Sequence, residues 1–389
     1  METWAKPPHK YVDYFGTRRR KAMDTLASSA GCDIVIGCCP EHFAFISNAH
    51  LPNITYIRSR AAYACIDADG KAFVVMYRAD SDIIKEQSWI GDFAPYVEFQ
   101  QDPVDSLVHE LKARGYAEGR IGIDLDFMPA ASYLRFKAAL PAATIVDSFA
   151  AVSAHRAVKE PDEIRTVASA AQATHASILE AFAISKPGDT ESQINARILG
   201  GCIARGARSI QFCTFGVGER CSHIHCYSRP EPVPEGEIIR CDVGPRFGPW
   251  FGDLARTYST GKPTAPQVEL YKGIVELQRR VIDMIRPGVA ASEVYALAAK
   301  ASSSLGLDAD YPLLGHSLGL ELHESPIVRK GDHGVLKAGM ILNIEPIVRD
   351  RQTGILMHLE DLIEVTDTGA RVLTLGLSPD EMPILGEPA

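Results

Sequence analysis

Residues 238–257 read Ile-Ile-Arg-Cys-Asp-Val-Gly-Pro-Arg-Phe-Gly-Pro-Trp-Phe-Gly-Asp-Leu-Ala-Arg-Thr, which sets Asp242 and Asp253 eleven residues apart. Outward from this stretch, three more ligand-type residues follow. His316 stands in Gly-His-Ser-Leu-Gly-Leu-Glu-Leu-His-Glu, Glu345 in Leu-Asn-Ile-Glu-Pro and Glu360 in His-Leu-Glu-Asp-Leu-Ile-Glu-Val. The order Asp, Asp, His, Glu, Glu supplies four carboxylates and one imidazole, a donor set for hard or borderline divalent ions such as Mn, Co, Fe or Zn. Four carboxylates balance two dications, and two ions about 3.5–4 Å apart can clamp both the attacking and the leaving atom of a hydrolysis.

The spacing fits strands. Residues 238–244 alternate so that Arg240, Asp242 and Gly244 share one face, and 340–345 places Asn343 beside Glu345. The same period over 355–365 groups His358, Glu360 and Leu362, so an antiparallel sheet aims the carboxylates to one side. Gly315 and Gly319 around His316 predict a turn with close backbone approach.

This ligand series resembles that of the pita-bread metallohydrolases, in the branch of prolidase, aminopeptidase P and creatinase. The segment His155-Arg-Ala-Val-Lys159-Glu-Pro161-Asp-Glu-Ile164 is similar to the one that opens the catalytic domain in that branch. Lys186-Pro187-Gly188-Asp-Thr190-Glu191 and Arg286-Pro287-Gly288-Val resemble the paired helix-to-turn signals of the fold, and their likeness to each other fits its internal two-fold repeat. The resemblance covers essentially the whole chain. It implies an α+β architecture: a pita-bread catalytic domain at 156–389 behind a smaller ribonuclease-H-like (creatinase-like) α/β domain at 1–155.

Carried over by residue, the resemblance implies that Asp242 chelates one metal ion, that Asp253 and Glu360 bridge two, and that His316 and Glu345 bind the second. Glu345 is also implied as general base. His225, seventeen residues before Asp242, and His323, seven after His316, fall where relatives use histidines against substrate and tetrahedral intermediate. Two positions depart from the pattern. Aminopeptidase P and prolidase carry Arg two residues before the last bridging Glu, where this chain has His358, a group that pairs with a ligand carboxylate and titrates near neutrality where Arg does not. Pro312 stands where some proline-specific relatives have another histidine. From His358 the expectation is a pocket that differs electrostatically from that of prolidase, so that His358→Arg leaves Xaa-Pro cleavage unchanged or raises it.

Composition sets outer bounds. The 389 residues carry a formal charge of −9 and are 46% hydrophobic, which suggests two domains with ordinary cores. An acidic chain without a basic stripe argues against nucleic acid. Residues 1–30 are too charged for a secretory signal, and no apolar run approaches the roughly 18 residues that span a bilayer. The expected location is cytoplasmic, with no membrane partner. Nine cysteines without a Cys-x-x-Cys pair indicate neither a disulfide framework nor a zinc ribbon. Cys241 adjoins Asp242 but alternates to the opposite face.

Along the chain, a helix is expected at 17–30, a buried strand at 32–39, a hairpin over 61–77 around Asp67-Ala-Asp-Gly70, a helix at 103–114, a strand at 120–124 and a helix at 129–139. Pro161 marks the first turn of a helix, and long helices are expected at 162–184, 190–206, 265–285 and 291–305. Gly216-Val-Gly218 reads as the turn that delivers the His225 loop. No Gly-rich phosphate loop or Gly-x-Ser-x-Gly elbow competes.

Together these features point to a hydrolase with two divalent metal ions acting on small amide substrates, an Xaa-Pro dipeptidase or aminopeptidase. The alternative is a non-peptidase member of the same fold that acts as hydrolase or lyase on a small nitrogenous or sulfonium osmolyte. The substrate in either case is a small molecule or short peptide. The resemblance also implies a homodimer, with the polar and cationic segment His50 to Arg60 as a candidate for reaching the partner's pocket.

Overall fold

A computed structural model describes residues 23–388 except 52, 53, 55, 56, 58, 310 and 311. Residues 17–22 of the helix expected at 17–30, and most of the polar positions between His50 and Arg60, lie outside the described residues; within the rest of that stretch Leu26–Ser29 is helical. The chain divides into two compact units between Arg156 and Ala157.

The first unit is built on six strands: β1 (Ile34–Gly37), β2 (Tyr63–Asp67), β3 (Ala72–Tyr77), β4 (Phe93–Tyr96), β5 (Arg120–Ile123) and β6 (Thr144–Asp147), in the order β4-β3-β2-β1-β5-β6. The hairpin β2–β3 turns at Asp67-Ala-Asp-Gly70, where Asp67 Oδ1 accepts from the amides of Asp69 and Lys71 and Gly70 takes a φ of 79°. Strand β1 is shorter than the 32–39 run because Asp124 ends it. One oxygen of that buried carboxylate accepts from the amides of Cys38 and Cys39 while the other meets His42 Nδ1 at 2.5 Å. Cys39, His42 and Asp124 bring ligand-type atoms within 4.8 Å of one another, but these hydrogen bonds satisfy the carboxylate internally.

The second unit begins with the helix Pro161–Ala183, whose start follows from sequence: Glu160 is the N-cap of a reciprocal capping box with Glu163, and Pro161 occupies the first turn. The helices Glu191–Ala204, Ala265–Met284 and Ala291–Ser304 complete the four expected. All paired strands of this unit are antiparallel. One sheet has β7 (Ser209–Val217), β8 (Ile238–Phe247), β9 (Trp250–Phe251) and β10 (Leu254–Ser259), ordered β10-β8-β7 with β9 folded back on β8. A second runs β12-β11-β13-β16-β17, from β11 (Leu313–Ser317), β12 (Glu324–Arg329), β13 (Ile341–Ile344), β16 (Asp361–Val365) and β17 (Ala370–Val372). Strands β14 (Ile347–Arg349) and β15 (Leu356–His358) pair separately.

The unit repeats itself in its hydrogen bonds. Gly188 and Gly288 take φ values of 94° and 90° after the first helix of each half. Gly188 N then donates to Val233 O and Ser192 N to Arg229 O; Gly288 N donates to Leu336 O and Ser292 N to Asp332 O. The two proline-glycine signals therefore open equivalent helix–turn–helix arms.

Two expectations are corrected. His316 lies within β11 rather than on a turn. Gly315 is needed because a Cβ there would come 2.2 Å from the Asn343 carbonyl oxygen, so the close approach is between paired strands. The run 355–365 is not one strand, because β15 pairs with β14 whereas β16 pairs with β13, and Leu359 and Glu360 lie between them outside either strand.

Candidate metal centre

Strand β8 carries Asp242 opposite Ala255 of β10, and Asp253 immediately precedes β10. Glu345 follows the last residue of β13, and Glu360 immediately precedes β16. From β11, His316 reaches into this group with Nε2 3.4 Å from Glu345 Oε1, 3.8 Å from Asp253 Oδ2 and 3.9 Å from Glu360 Oε1. Its Nδ1 donates to the Ser317 carbonyl at 3.0 Å, which leaves Nε2 as the lone-pair nitrogen facing the carboxylates. Asp253, His316, Glu345 and Glu360 are buried and Asp242 is partly exposed.

The arrangement is costly unless cations join it. Burial pushes the Asp242 carboxyl up to about 6 against the opposing pull of Arg240. Asp253, Glu345 and Glu360 are driven well above the carboxylate range, first by burial and then by neighbouring carboxylates, chiefly Asp242 for Asp253 and Glu345 and Asp253 for Glu360. Burial, then the neighbouring His323, takes His316 down to about 3. Asp242 Oδ1 and Asp253 Oδ1 are buried without a hydrogen-bond partner among the described residues. Orphaned carboxylate oxygens beside a neutral imidazole are what divalent cations satisfy, and metal bonds of about 2.0–2.2 Å suit ligand atoms at these separations.

Around these residues, Asn343 Nδ2 donates to Glu360 Oε1 at 2.7 Å and fixes that carboxylate. His358 is fully enclosed, with Nε2 3.3 Å from Glu345 Oε2. Burial, then Arg240, His316 and Arg256, hold His358 well below the usual imidazole range, so it stands neutral beside Glu345. Its main chain is clamped by Thr257 of β10, whose Oγ1 accepts from His358 N and donates to His358 O, both at 2.9 Å.

Of the two outer histidines, His323 is exposed and its ring lies over His316, centroids 4.1 Å apart. His225 is exposed in the loop that follows β7 and the Gly218–Ser222 turn, where Gly218 takes a φ of 58°. Its loop is fastened by a residue whose role sequence reasoning passed over. Arg240 is fully buried, and its Nη2 donates to the carbonyls of His223 at 3.0 Å and Ile224 at 2.5 Å. A charge inside the otherwise apolar run Ile-Ile-Arg-Cys was the signal available. Cys241 turns to the opposite, hydrophobic side of the sheet.

The chain matches metallopeptidase family M24 over residues 162–367 and the creatinase/prolidase N-terminal domain over residues 19–158. It belongs to metallopeptidase family M24. All five ligand-type residues lie in the M24 portion. An Xaa-Pro dipeptidase of Pyrococcus furiosus is 29% identical over 222 residues, a match that spans 56% of this chain and 63% of that protein. An uncharacterized peptidase of Bacillus subtilis, YqhT, is 26% identical over 345 residues, 87% of this chain and 94% of that one. Among solved structures, the dipeptidase PepE of Mycobacterium ulcerans superposes with a TM-score of 0.80 at 25% identity, covering 97% of this chain and 99% of that one. The M24 fold, a pita-bread unit with a creatinase-like unit before it, is thus the fold of this chain. Among the described residues no helix is long and apolar enough to cross a membrane.

Proposed function

We propose that this M24 chain is a hydrolase with two divalent metal ions that cleaves Xaa-Pro dipeptides or an N-terminal Xaa-Pro bond, acting as a homodimer in the cytoplasm. The observation that carries the reading is the convergence of Asp253, His316 and Glu360, whose ligand atoms lie within 4.8 Å of one another, with Glu345 against the same imidazole. Asp242 would hold one ion, Asp253 and Glu360 both, and His316 and Glu345 the other. When bound, such ions supply Lewis acidity toward a carbonyl and make water acidic enough to react near neutrality.

The chain's own groups do the rest. Glu345, its Oε2 facing His358, accepts the proton of the attacking water. His323, exposed above His316, donates to the oxyanion as the carbonyl becomes tetrahedral. His225 contacts the substrate from its loop. His358, at the position of the peptidase arginine, favours a second reading in which the substrate is a small nitrogenous or sulfonium osmolyte.

A panel of Xaa-Pro dipeptides, longer Xaa-Pro peptides and osmolytes, assayed with Mn, Co, Zn and Fe, separates the two. Asp253→Ala and Glu360→Ala are expected to abolish turnover and lower metal content, whereas Glu345→Gln retains part of the metal without turnover. Near-wild-type turnover of Asp253→Ala with two metals bound would overturn the ligand assignment.

A further inference from the structure

His316 and His323 flank a short loop, 318–322, between the end of β11 and the start of β12. The register of these two strands shifts on both sides of His316, so strand pairing alone does not fix the loop. Its neck is closed instead by a buried ion pair. Lys159 Nζ donates to Glu324 Oε2 at 2.7 Å and to Ser317 Oγ at 3.2 Å, joining the residue after His316 to the residue after His323. Both charged side chains are almost wholly enclosed.

The other oxygen of Glu324 accepts from the amides of Leu320 at 3.0 Å and Glu321 at 3.2 Å, which curls the loop onto the carboxylate. Gly319 permits this, since a Cβ there would stand 2.9 Å from Glu324 Oε1. Lys159 is itself held by its amide, which donates to Gly339 O at 2.9 Å.

We infer that Lys159 is a positioning residue for the His316–His323 pair, acting through Glu324. Without its ammonium the buried Glu324 carboxylate loses a compensating charge at 2.7 Å, and a buried carboxylate so weakened moves toward water or takes up a proton. Either response releases the Leu320 and Glu321 amides and, with them, the backbone that sets His323 over His316. Lys159 touches neither substrate nor metal ligand in this role, which rests on the catalytic reading of His323 given above.

The test is a double-mutant cycle on the metal-loaded enzyme with an Xaa-Pro dipeptide, using Lys159→Met, His323→Ala and the pair. Lys159→Met is expected to lower kcat about tenfold or more with KM little changed, the size seen when supports of a metal site are lost. The pair is expected to be no slower than His323→Ala alone. Wild-type kcat in Lys159→Met, or losses that multiply in full, would overturn the proposal. Independently of any turnover, the imidazole NMR signals of His316 and His323 in the metal-free protein should move in Lys159→Met and not in Lys262→Met. If the chain hydrolyses no Xaa-Pro peptide, the proposed function fails while this readout still decides the positioning role, and unmoved signals reject it. Glu324→Gln, which keeps side-chain volume, takes the place of Lys159→Met if that variant does not fold.

Discussion

At Glu345 the two carboxylate oxygens face different imidazoles, His316 through Oε1 at 3.4 Å and His358 through Oε2 at 3.3 Å. With Asp242, Asp253 and Glu360 around the same centre, the metal-free protein holds carboxyl groups whose folded pKa values lie above their unfolded ones, about 6 for Asp242. The folded state therefore binds more protons, so these groups contribute stability at low pH that is lost as pH rises through their raised folded values, about 6 for Asp242. Metal binding must expel those protons. The rise in Tm on adding Mn is thus expected to grow from pH 5 to pH 7, with proton release visible by calorimetry in buffers of different ionisation enthalpy; a pH-independent rise would refute the charge balance. His358 gives a second prediction. Sequence alone suggested that His358→Arg is harmless to Xaa-Pro cleavage, but Arg240 is already buried near His358 and depresses its pKa, so another guanidinium would add an uncompensated charge. His358→Ala is expected to lose roughly 10- to 100-fold in kcat, as do other partners of ligand carboxylates. His358→Arg is expected to lose at least as much and to melt at lower temperature, and a faster His358→Arg enzyme would contradict this.

Strands β10 and β16 are locked by one buried pair: Arg256 Nη2 donates to Asp361 Oδ1 at 2.7 Å, and Thr374 Oγ1 and Gln278 Nε2 complete the carboxylate's partners. Arg256 Nη1 also donates to the Glu360 carbonyl at 2.5 Å, so the same side chain holds the main chain at Glu360. Removing one partner leaves the other charged and dry, and Asp361→Ala is expected to cost about 3–5 kcal/mol in urea unfolding; a loss below about 1 kcal/mol would mean that water enters the gap. The long helices of the second unit were legible because caps, prolines and apolar periodicity are local signals. Alternation also grouped His358 with Glu360, yet it could not register that the chain changes pairing partners between them. Gly315 was misread for a related reason. Glycine marks close approach, but whether the approaching backbone belongs to a turn or to a neighbouring strand depends on residues far along the chain.

Across the molecule the nine cysteines are all free and buried. Native protein should therefore react slowly with a thiol reagent and expose nine thiols when denatured, and rapid labelling of the native form would contradict the packing. The ligand order was readable because it needs no three-dimensional information, whereas the grip of Lys159 on Glu324 joins positions 165 residues apart and leaves no mark in either local segment. The matched arms at Gly188 and Gly288 carry one more consequence. The first half of the second unit supplies Asp242 and Asp253, and the second half supplies His316, Glu345 and Glu360, so neither half owns all five proposed ligands. Cut at the exposed Lys262, between β10 and the next helix, the chain would become two polypeptides that each need the other to assemble the proposed centre. Divalent metal would then act as the glue of reassembly, and the affinity of the fragments for each other would become a direct gauge of the centre they share.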